Sequence, residues 1–343
     1  MVKTAAGFIV VISIVVILIL GKELLLPFIF AVLVWLVMRK LRQALDIFGF
    51  MKKYVPLWAK TLLSSVFLVL ILISFGKLIE ININELESSI PSDSIHYKKL
   101  IDQIQVIAPV TIDDLKNNSD LKSTLGSYLS SFVNSLTAMV SNVFLILLYV
   151  IFILLEESSF KNKLAILLPK YTHRERSKAI LDKIEHSLSN YMGLKSLLGV
   201  MAAGGSTMIL YLMGVQSPVF WGLTALILYY IPTLGTILSS ALPALFYFVV
   251  TGDYYYAFGV FVGVYGMQVI VSNFLEPRIM GNSLNVSPLA TVIALVFWGS
   301  IWGLTGMFLS VPITVIMVIV FAHFPNTRSI AVLLSEKGEI RNI

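Results

Sequence analysis

The chain has 343 residues, of which 57% are hydrophobic and only 13% charged, with a formal net charge of +6, no Cys and four His. Soluble domains carry about 25% charged residues, so the composition argues against a soluble enzyme, and a mean hydropathy of +0.89 rules out a disordered chain. The lack of Cys removes disulfides, thiolate nucleophiles and Cys-ligated zinc, and no two of His96, His173, His186 and His323 are spaced to share a metal; neither a metal nor a cofactor is expected.

A membrane-spanning helix takes about 20 mostly apolar residues. Charge-free runs occur at 4–20, 24–38, 61–76, 123–155 (densely apolar from Ala138), 196–252, 254–275 and 279–327, the last interrupted only by His323. The expected fold class is therefore all-α: a polytopic helical membrane protein of about seven to eight spans. The first run follows Lys3 but has no small-x-small cleavage site before Lys22-Glu23, and a second apolar run comes at once, so it reads as a retained span. The expected organisation is 1–79, three spans with a basic internal loop; 80–134, an external helical segment; 135–155, the fourth span; 156–192, an internal amphipathic segment; 193–325, a transport core; and 326–343, an internal tail.

Orientation follows the Lys and Arg of short loops. Residues 39–60 hold Arg39, Lys40, Arg42, Lys52, Lys53 and Lys60 against Asp46 alone; 80–134 hold four Lys against eight acids; 156–195 hold eight basic residues against five acids. Basic segments lie inside, which predicts both termini in the cytoplasm, 80–134 outside, and a bacterial cytoplasmic (inner) membrane location. The positive charge thus has a lipid explanation, and no basic face of a nucleic-acid-binding module is visible.

The third span is expected to run outward to Glu87 and stop before Pro91, with further helices starting near Ser94, at Thr111-Ile112-Asp113-Asp114 and at Ser119-Asp120, where the cap residues and early acids suit helix N-termini. This external piece reads as a solvated helical cap without chemistry. On the inner side, Thr172-His173-Arg174-Glu175 is a capping-box pattern and predicts a helix to about Met192, with Leu181, Ile184, Leu188 and Tyr191 on one face. His173 and His186 read as ordinary solvated residues.

The second half is where the helical pattern breaks. Residues 219–250 are interrupted at Tyr230-Ile231-Pro232-Thr233-Leu234-Gly235-Thr236. Pro232 removes a donor and Gly235 permits a tight bend, which predicts a helical hairpin with its tip at 231–236. Residues 288–324 contain Trp298-Gly299-Ser300-Ile301-Trp302-Gly303-Leu304-Thr305-Gly306 and then Pro312, which predicts a second. Irregular backbone at membrane depth is tolerated only where protein buries it or it lines a cavity, and in transporters such breaks hold substrate and ions. Between the two lies 254–275, with Gln268, Ser272 and Asn273 approaching its inner end and Glu276-Pro277-Arg278 after it, where Pro277 is expected to interrupt the helix. The candidate substrate-binding or gating residues are Pro232, Thr233, Gly235, Asn273, Glu276, Pro277, Arg278, Gly299, Gly303, Gly306 and Pro312, with Asn273, Glu276 and Arg278 expected to face a cavity between the hairpins. Lys195, Tyr230 and Gln268 form a second tier. A bland reading stands beside these: Arg278 and Lys195 as snorkelling interfacial cations, and the Gly299/Gly303 spacing as simple helix packing.

The stretches Tyr191-Met192-Gly193-Leu194-Lys195-Ser196, Tyr230-Ile231-Pro232-Thr233-Leu234-Gly235, Leu275-Glu276-Pro277-Arg278-Ile279-Met280-Gly281, Phe297-Trp298-Gly299, Gly306-Met307-Phe308-Leu309-Ser310-Val311-Pro312 and Ser329-Ile330-Ala331-Val332-Leu333-Leu334-Ser335 resemble the autoinducer-2 exporter (AI-2E) family of PerM-type permeases. The likeness is specific from about 170 to 335. It implies an exporter of small polar signals, assembled as a homo-oligomer of five chains. The related transporters carry Asn where this chain has Tyr229 and Thr233, and some resemble sodium/proton antiporters, so the resemblance leaves the cargo open.

The residues themselves favour a secondary transporter exporting a small hydrophilic solute, with a proton or sodium as coupling ion; an autoinducer-2-like signal as that solute is what the resemblance implies. A sodium/proton antiporter is the alternative, and a passive channel a further one. Such an antiporter usually needs a deep carboxylate, and Glu276 is the one acid adjoining the second-half spans on the inner side. A phosphate-cradling loop and a Gly-x-Ser-x-Gly elbow are both absent from the sequence, so neither a primary pump nor an enzyme is expected. The expected partners are the lipid bilayer, the solute and further copies of the chain, with no nucleic acid.

Overall fold

Helices make up all the regular structure among the described residues, 2–46, 49–89, 143–167, 171–280, 285–336 and 338 of the computed structural model. In chain order they are α1 (Val2–Leu20), α2 (Lys22–Leu45), α3 (Gly49–Tyr54), α4 (Leu57–Ser89), α5 (Val143–Leu167), α6 (Tyr171–Leu212), α7 (Pro218–Leu228), α8 (Leu234–Thr251), α9 (Tyr254–Val269), a π-helical turn (Ile270–Leu275), α10 (Glu276–Met280), α11 (Pro288–His323) and α12 (Arg328–Leu334). Among the described residues, Lys22–Leu45, Ala179–Leu212, Tyr254–Met280 and Pro288–His323 are long and apolar enough to cross a membrane, and Trp58–Ile71, Pro218–Leu228 and Leu234–Phe248 are shorter apolar helices. The chain is a polytopic helical membrane protein.

Several expected boundaries differ. α1 and α2 are joined by Gly21 alone. Its φ of −85° and ψ of 5° depart from helical values; α1 closes with Gly21 N–H on Ile17 O (2.8 Å) and α2 opens with Leu25 N–H on Gly21 O (2.9 Å). Lys22 and Glu23 are therefore the first residues of α2, one turn residue after α1. α6 runs unbroken through the expected end at Met192, because 190–199 holds neither Pro nor a left-handed residue, and Ser196 Oγ bonds back to Met192 O at 2.7 Å within the ladder. α4 reaches Ser89, and the expected stop at Pro91 lies outside the described residues. The helices expected after Ser94, Thr111 and Ser119 lie outside the described residues.

The chain divides into two compact units, each discontinuous in sequence: Met1–Leu70, Asn142–Ser196 and Met280–Ile343 form the first, Ile71–Ser141 and Leu197–Ile279 the second. In the first, Ala31 and Met38 of α2 pack on Ile146 and Val150 of α5, with Leu68 of α4 against them. α12 packs on α11, and Leu334 O accepts a bond from Ser287 N–H at 2.8 Å. In the second, Leu210, Phe220, Trp221, Phe246, Val260 and Val264 bring α6, α7, α8 and α9 together. Lipid is as apolar as these side chains, so close packing holds such helices together more than water exclusion does.

Candidate functional site

The second unit holds the first hairpin, α7 and α8. At about 1.5 Å per residue, the 11 residues of α7 reach about 16 Å, short of a crossing. Its last turn tightens: Tyr230 N–H bonds Ile227 O (3.3 Å) and Ile231 N–H bonds Leu228 O (2.8 Å), both three residues back. Then Pro232 O accepts from Leu234 N–H at 2.6 Å, closing a γ-turn around Thr233, whose φ is 61° and ψ −58°. That conformation is rare and strained for a residue with a side chain. α8 begins at once, so the chain reverses within 229–233. Gly235 is required by the reversal: a Cβ there would stand 1.8 Å from Leu228 O. Gly235 is buried, Tyr230 and Pro232 are half-buried and Thr233 is exposed.

The first unit holds the second hairpin. α11 is long enough to cross a membrane by residue count, but Gly303 (φ 60°, ψ −140°) breaks it into arms 288–302 and 304–323. These fold back on each other, since a Cβ on Gly306 would stand 1.8 Å from Trp298 O, eight residues earlier. Gly299 faces Met307, whose Cε and Cγ would lie 3.0 Å from a Cβ there; a flexible side chain can yield at that distance, so Gly299 is the less demanding of the three. Pro312 is buried in the returning arm, flanked by Ser310 Oγ bonding Met307 O (2.7 Å) and Thr314 Oγ1 bonding Ser310 O (2.6 Å). Hydroxyls of this kind keep a proline-bearing membrane helix satisfied.

α9 leads into the expected polar cluster. The helix does not break at Pro277. It widens just before it, over Ile270–Leu275, where Glu276 N–H bonds Val271 O five residues back, and α10 then carries Pro277 within it. A π-turn relieves the clash between the proline ring and the preceding turn, and such turns mark functional stretches in many helices. The turn brings together residues that the spacing did not pair: Tyr229, 5% exposed at the end of α7, donates its hydroxyl to Glu276 Oε2 at 2.7 Å. Glu276 is half-buried, while Asn273, Pro277 and Arg278 are exposed. Gln268, further up α9, is fully buried. Lys195 of α6 is 7% exposed, a depth that a snorkelling cation does not have.

A further constellation, in the first unit, was counted in the sequence only as topology. Arg42 holds Glu157 with two bonds of 3.1 Å and Thr61 Oγ1 at 3.0 Å. Arg39 lies over the Trp35 ring at 5.2 Å and pairs with Glu185 and, at 3.8 Å, with Glu157. Lys40 donates to Asn190 at 2.5 Å, and Asn190 lies 2.9 Å from His186. Lys60 pairs with Asp46 at 2.5 Å. These residues clasp α2, α4, α5 and α6 at one end, and His186, exposed as expected, lies at the edge of that network. The available signal was that Glu157 closes an apolar run on the same expected side as Arg39 and Arg42. Tyr229 was not among the candidate residues, although the sequence marked it, with Thr233, as a departure from the related transporters. Among the described residues no group of three or more His, Asp and Glu is placed to hold a metal ion.

Comparison with known proteins agrees with this architecture. The AI-2E family transporter model matches residues 8–326. A putative transport protein of Haemophilus influenzae is 28% identical over 330 residues, covering 94% of this chain and 93% of its own. The AI-2 transport protein TqsA of Escherichia coli is 28% identical over 327 residues, covering 92% and 90%. A putative transport protein of Borreliella burgdorferi is 27% identical over 233 residues, covering 66% and 63%. With nearly its whole length matched, this chain belongs to the AI-2E transporter family.

Proposed function

We propose that the protein is a secondary transporter that exports a small hydrophilic solute of the autoinducer-2 kind across the bacterial cytoplasmic membrane. The observation that carries this reading is the tip of the first hairpin, where a strained Thr233 sits beside a hydrogen bond from Tyr229 to Glu276. Strain of this kind persists where the surroundings over-determine it, at ligand clamps and switch regions, and Glu276 offers acceptors to a hydroxylated cargo. The name of TqsA supplies the cargo class; Tyr229 and Thr233 are this chain's own tip residues, so its cargo preference is set there. Chemistry on the solute has no role in this reading, and the working form is a homo-oligomer.

Counterflow of labelled autoinducer-2 in proteoliposomes, with and without a proton or sodium gradient, tests it. Saturable counterflow is expected. Flux that rises linearly with concentration would replace the carrier by a channel. Sodium-driven proton movement without solute flux would favour an antiporter with Glu276 as its proton-carrying group. Export direction is tested separately. In this Cys-free chain, Ser119→Cys should react with an impermeant thiol reagent added to intact cells and Ser177→Cys should not. The reverse pattern would invert the orientation.

A further inference from the structure

Gln268 is the one fully buried amide side chain among the described residues, 0% exposed within a helix long and apolar enough to cross a membrane. Its Nε2 donates to Ser206 Oγ of α6 at 3.3 Å. Ser206 is also 0% exposed. The Gln268 backbone carbonyl accepts the hydroxyl of Ser272, four residues on and inside the π-turn. Gln268 Oε1, however, is buried and has no hydrogen-bond partner. Buried polar atoms are almost always paired, and an exception asks for an explanation.

The surroundings narrow that explanation. Gln268, Ser272 and Glu276 recur every four residues and so form a polar stripe along one side of this helix, and Glu276 holds the Tyr229 hydroxyl at the end of α7. Nothing charged belongs to the Gln268 end of the stripe, which offers a carbonyl oxygen and two hydroxyls. A group that donates a hydrogen bond fits such a place; an anion would meet Oε1, an acceptor that cannot donate to it.

We propose that Gln268, with Ser206 and Ser272, is a binding site for a hydroxyl group of the transported solute, reached along the stripe that starts at Tyr229 and Glu276. This rests on the transport reading above and deepens it, by giving the cargo a neutral, hydroxylated end. Gln268 Oε1 accepts the solute hydroxyl. Ser206 positions the amide, and Ser272 takes the Gln268 carbonyl into the π-turn, so that widening of the helix and placement of the amide are linked.

Two measurements test the site. Gln268→Cys in this Cys-free chain is exposed to a small charged methanethiosulfonate reagent, beside Val264→Cys, one turn earlier and also 0% exposed. The site requires Gln268→Cys to react about tenfold faster or more than Val264→Cys, because an aqueous path reaches one and not the other, and excess autoinducer-2 should slow it. Gln268→Met keeps the volume and removes the acceptor. It should raise the half-saturation concentration for counterflow about tenfold while leaving turnover near wild type and changing the unfolding midpoint little, since the bond to Ser206 is lost but an unpaired buried acceptor has gone as well. Equal, slow labelling of the two positions would overturn the site. So would fast labelling that autoinducer-2 does not slow, together with wild-type half-saturation in Gln268→Met, which would give the place to water alone. Labelling without solute also separates this inference from the transport reading. A wild type inert in counterflow defeats the cargo, whereas fast labelling of Gln268→Cys still supports the site and slow labelling defeats it even where the wild type transports.

Discussion

The two hairpins solve one geometric problem with different residues. In both, a glycine early in the returning arm lies against a carbonyl near the end of the outgoing one: Gly235 on Leu228 O, Gly306 on Trp298 O, each with 1.8 Å to where a Cβ would be. The reversals themselves differ. At Gly303 the left-handed φ of 60° falls on a residue without a side chain, which adopts it at little steric cost. At Thr233 the φ of 61° falls on a threonine, which pays for it in strain. The close approach is thus common to both turns and the strain belongs to one. The difference assigns structural closure to the glycines and leaves the first tip, with its bond between Tyr229 and Glu276, as the turn held in a conformation its own residue disfavours.

The largest effect should come from the common feature. Gly235→Ala and Gly306→Ala each force a methyl into a backbone carbonyl that cannot rotate away, so the arms must separate, at a cost of about 3 kcal/mol. Both variants should insert and assemble, unfold at lower temperature in detergent, and lose at least about tenfold in counterflow. Gly299→Ala, which meets only the flexible Met307, should be far milder. A Gly306→Ala protein with wild-type stability and flux would break the likeness between the hairpins.

Much of this was legible beforehand, for identifiable reasons. Pro232, Gly235, Gly303 and Gly306 stand out in apolar runs because each alters backbone freedom, and both breaks fall where they predict. Helix joints were less legible. Gly21-Lys22-Glu23 ends the first apolar run, yet only Gly21 leaves the helix and the charged pair already belongs to α2; charge marks where a helix meets solvent, not where its hydrogen bonds stop. Pro277 signalled a break, and the helix widened into a π-turn instead. Pairings between distant segments were not legible at all. No spacing rule joins Tyr229 to Glu276, 47 residues on, or Arg42 to Glu157, 115 residues on, because such pairs depend on how helices pack and not on periodicity along any one of them.

The strain itself gives the sharpest contrast, because the two tips should respond with opposite sign. Thr233→Gly removes a conformational penalty of about 1–3 kcal/mol, partly offset by about 0.5–1 kcal/mol of added chain entropy in the unfolded state, and should raise the unfolding midpoint. Gly303→Ala imposes a similar penalty and should lower it. If the strain at Thr233 serves the transport cycle, Thr233→Gly should gain stability and lose flux. A Thr233→Gly protein that is less stable than wild type would show that the threonine is at ease in its turn, and the contrast between the hairpins would vanish.

The smallest expected effects concern how each tip is tethered. Tyr229 donates to a carboxyl at 2.7 Å, whereas Trp302, next to Gly303, donates its Nε1–H to the Leu18 carbonyl at 2.9 Å. A bond to a group that can carry charge contributes about 1.5–3 kcal/mol, a neutral one about 0.5–1.5. Tyr229→Phe and Trp302→Phe each delete one donor and keep an aromatic ring. On stability alone both should be modest, with Tyr229→Phe the larger. Transport should separate them more clearly. If the first tip meets solute, Tyr229→Phe alters the group that Glu276 presents to the cargo and changes the half-saturation concentration of counterflow. Trp302→Phe changes only how firmly a closed turn is held and should leave that constant alone. Glu276→Gln supplies the check, because it retains an acceptor for the tyrosine hydroxyl while removing the ionisable group. Should Glu276→Gln behave as wild type while Tyr229→Phe does not, the hydroxyl and not the carboxyl contacts the solute. Should Trp302→Phe shift half-saturation as much as Tyr229→Phe, both tips would be solute-facing and the asymmetry drawn from Thr233 would be wrong.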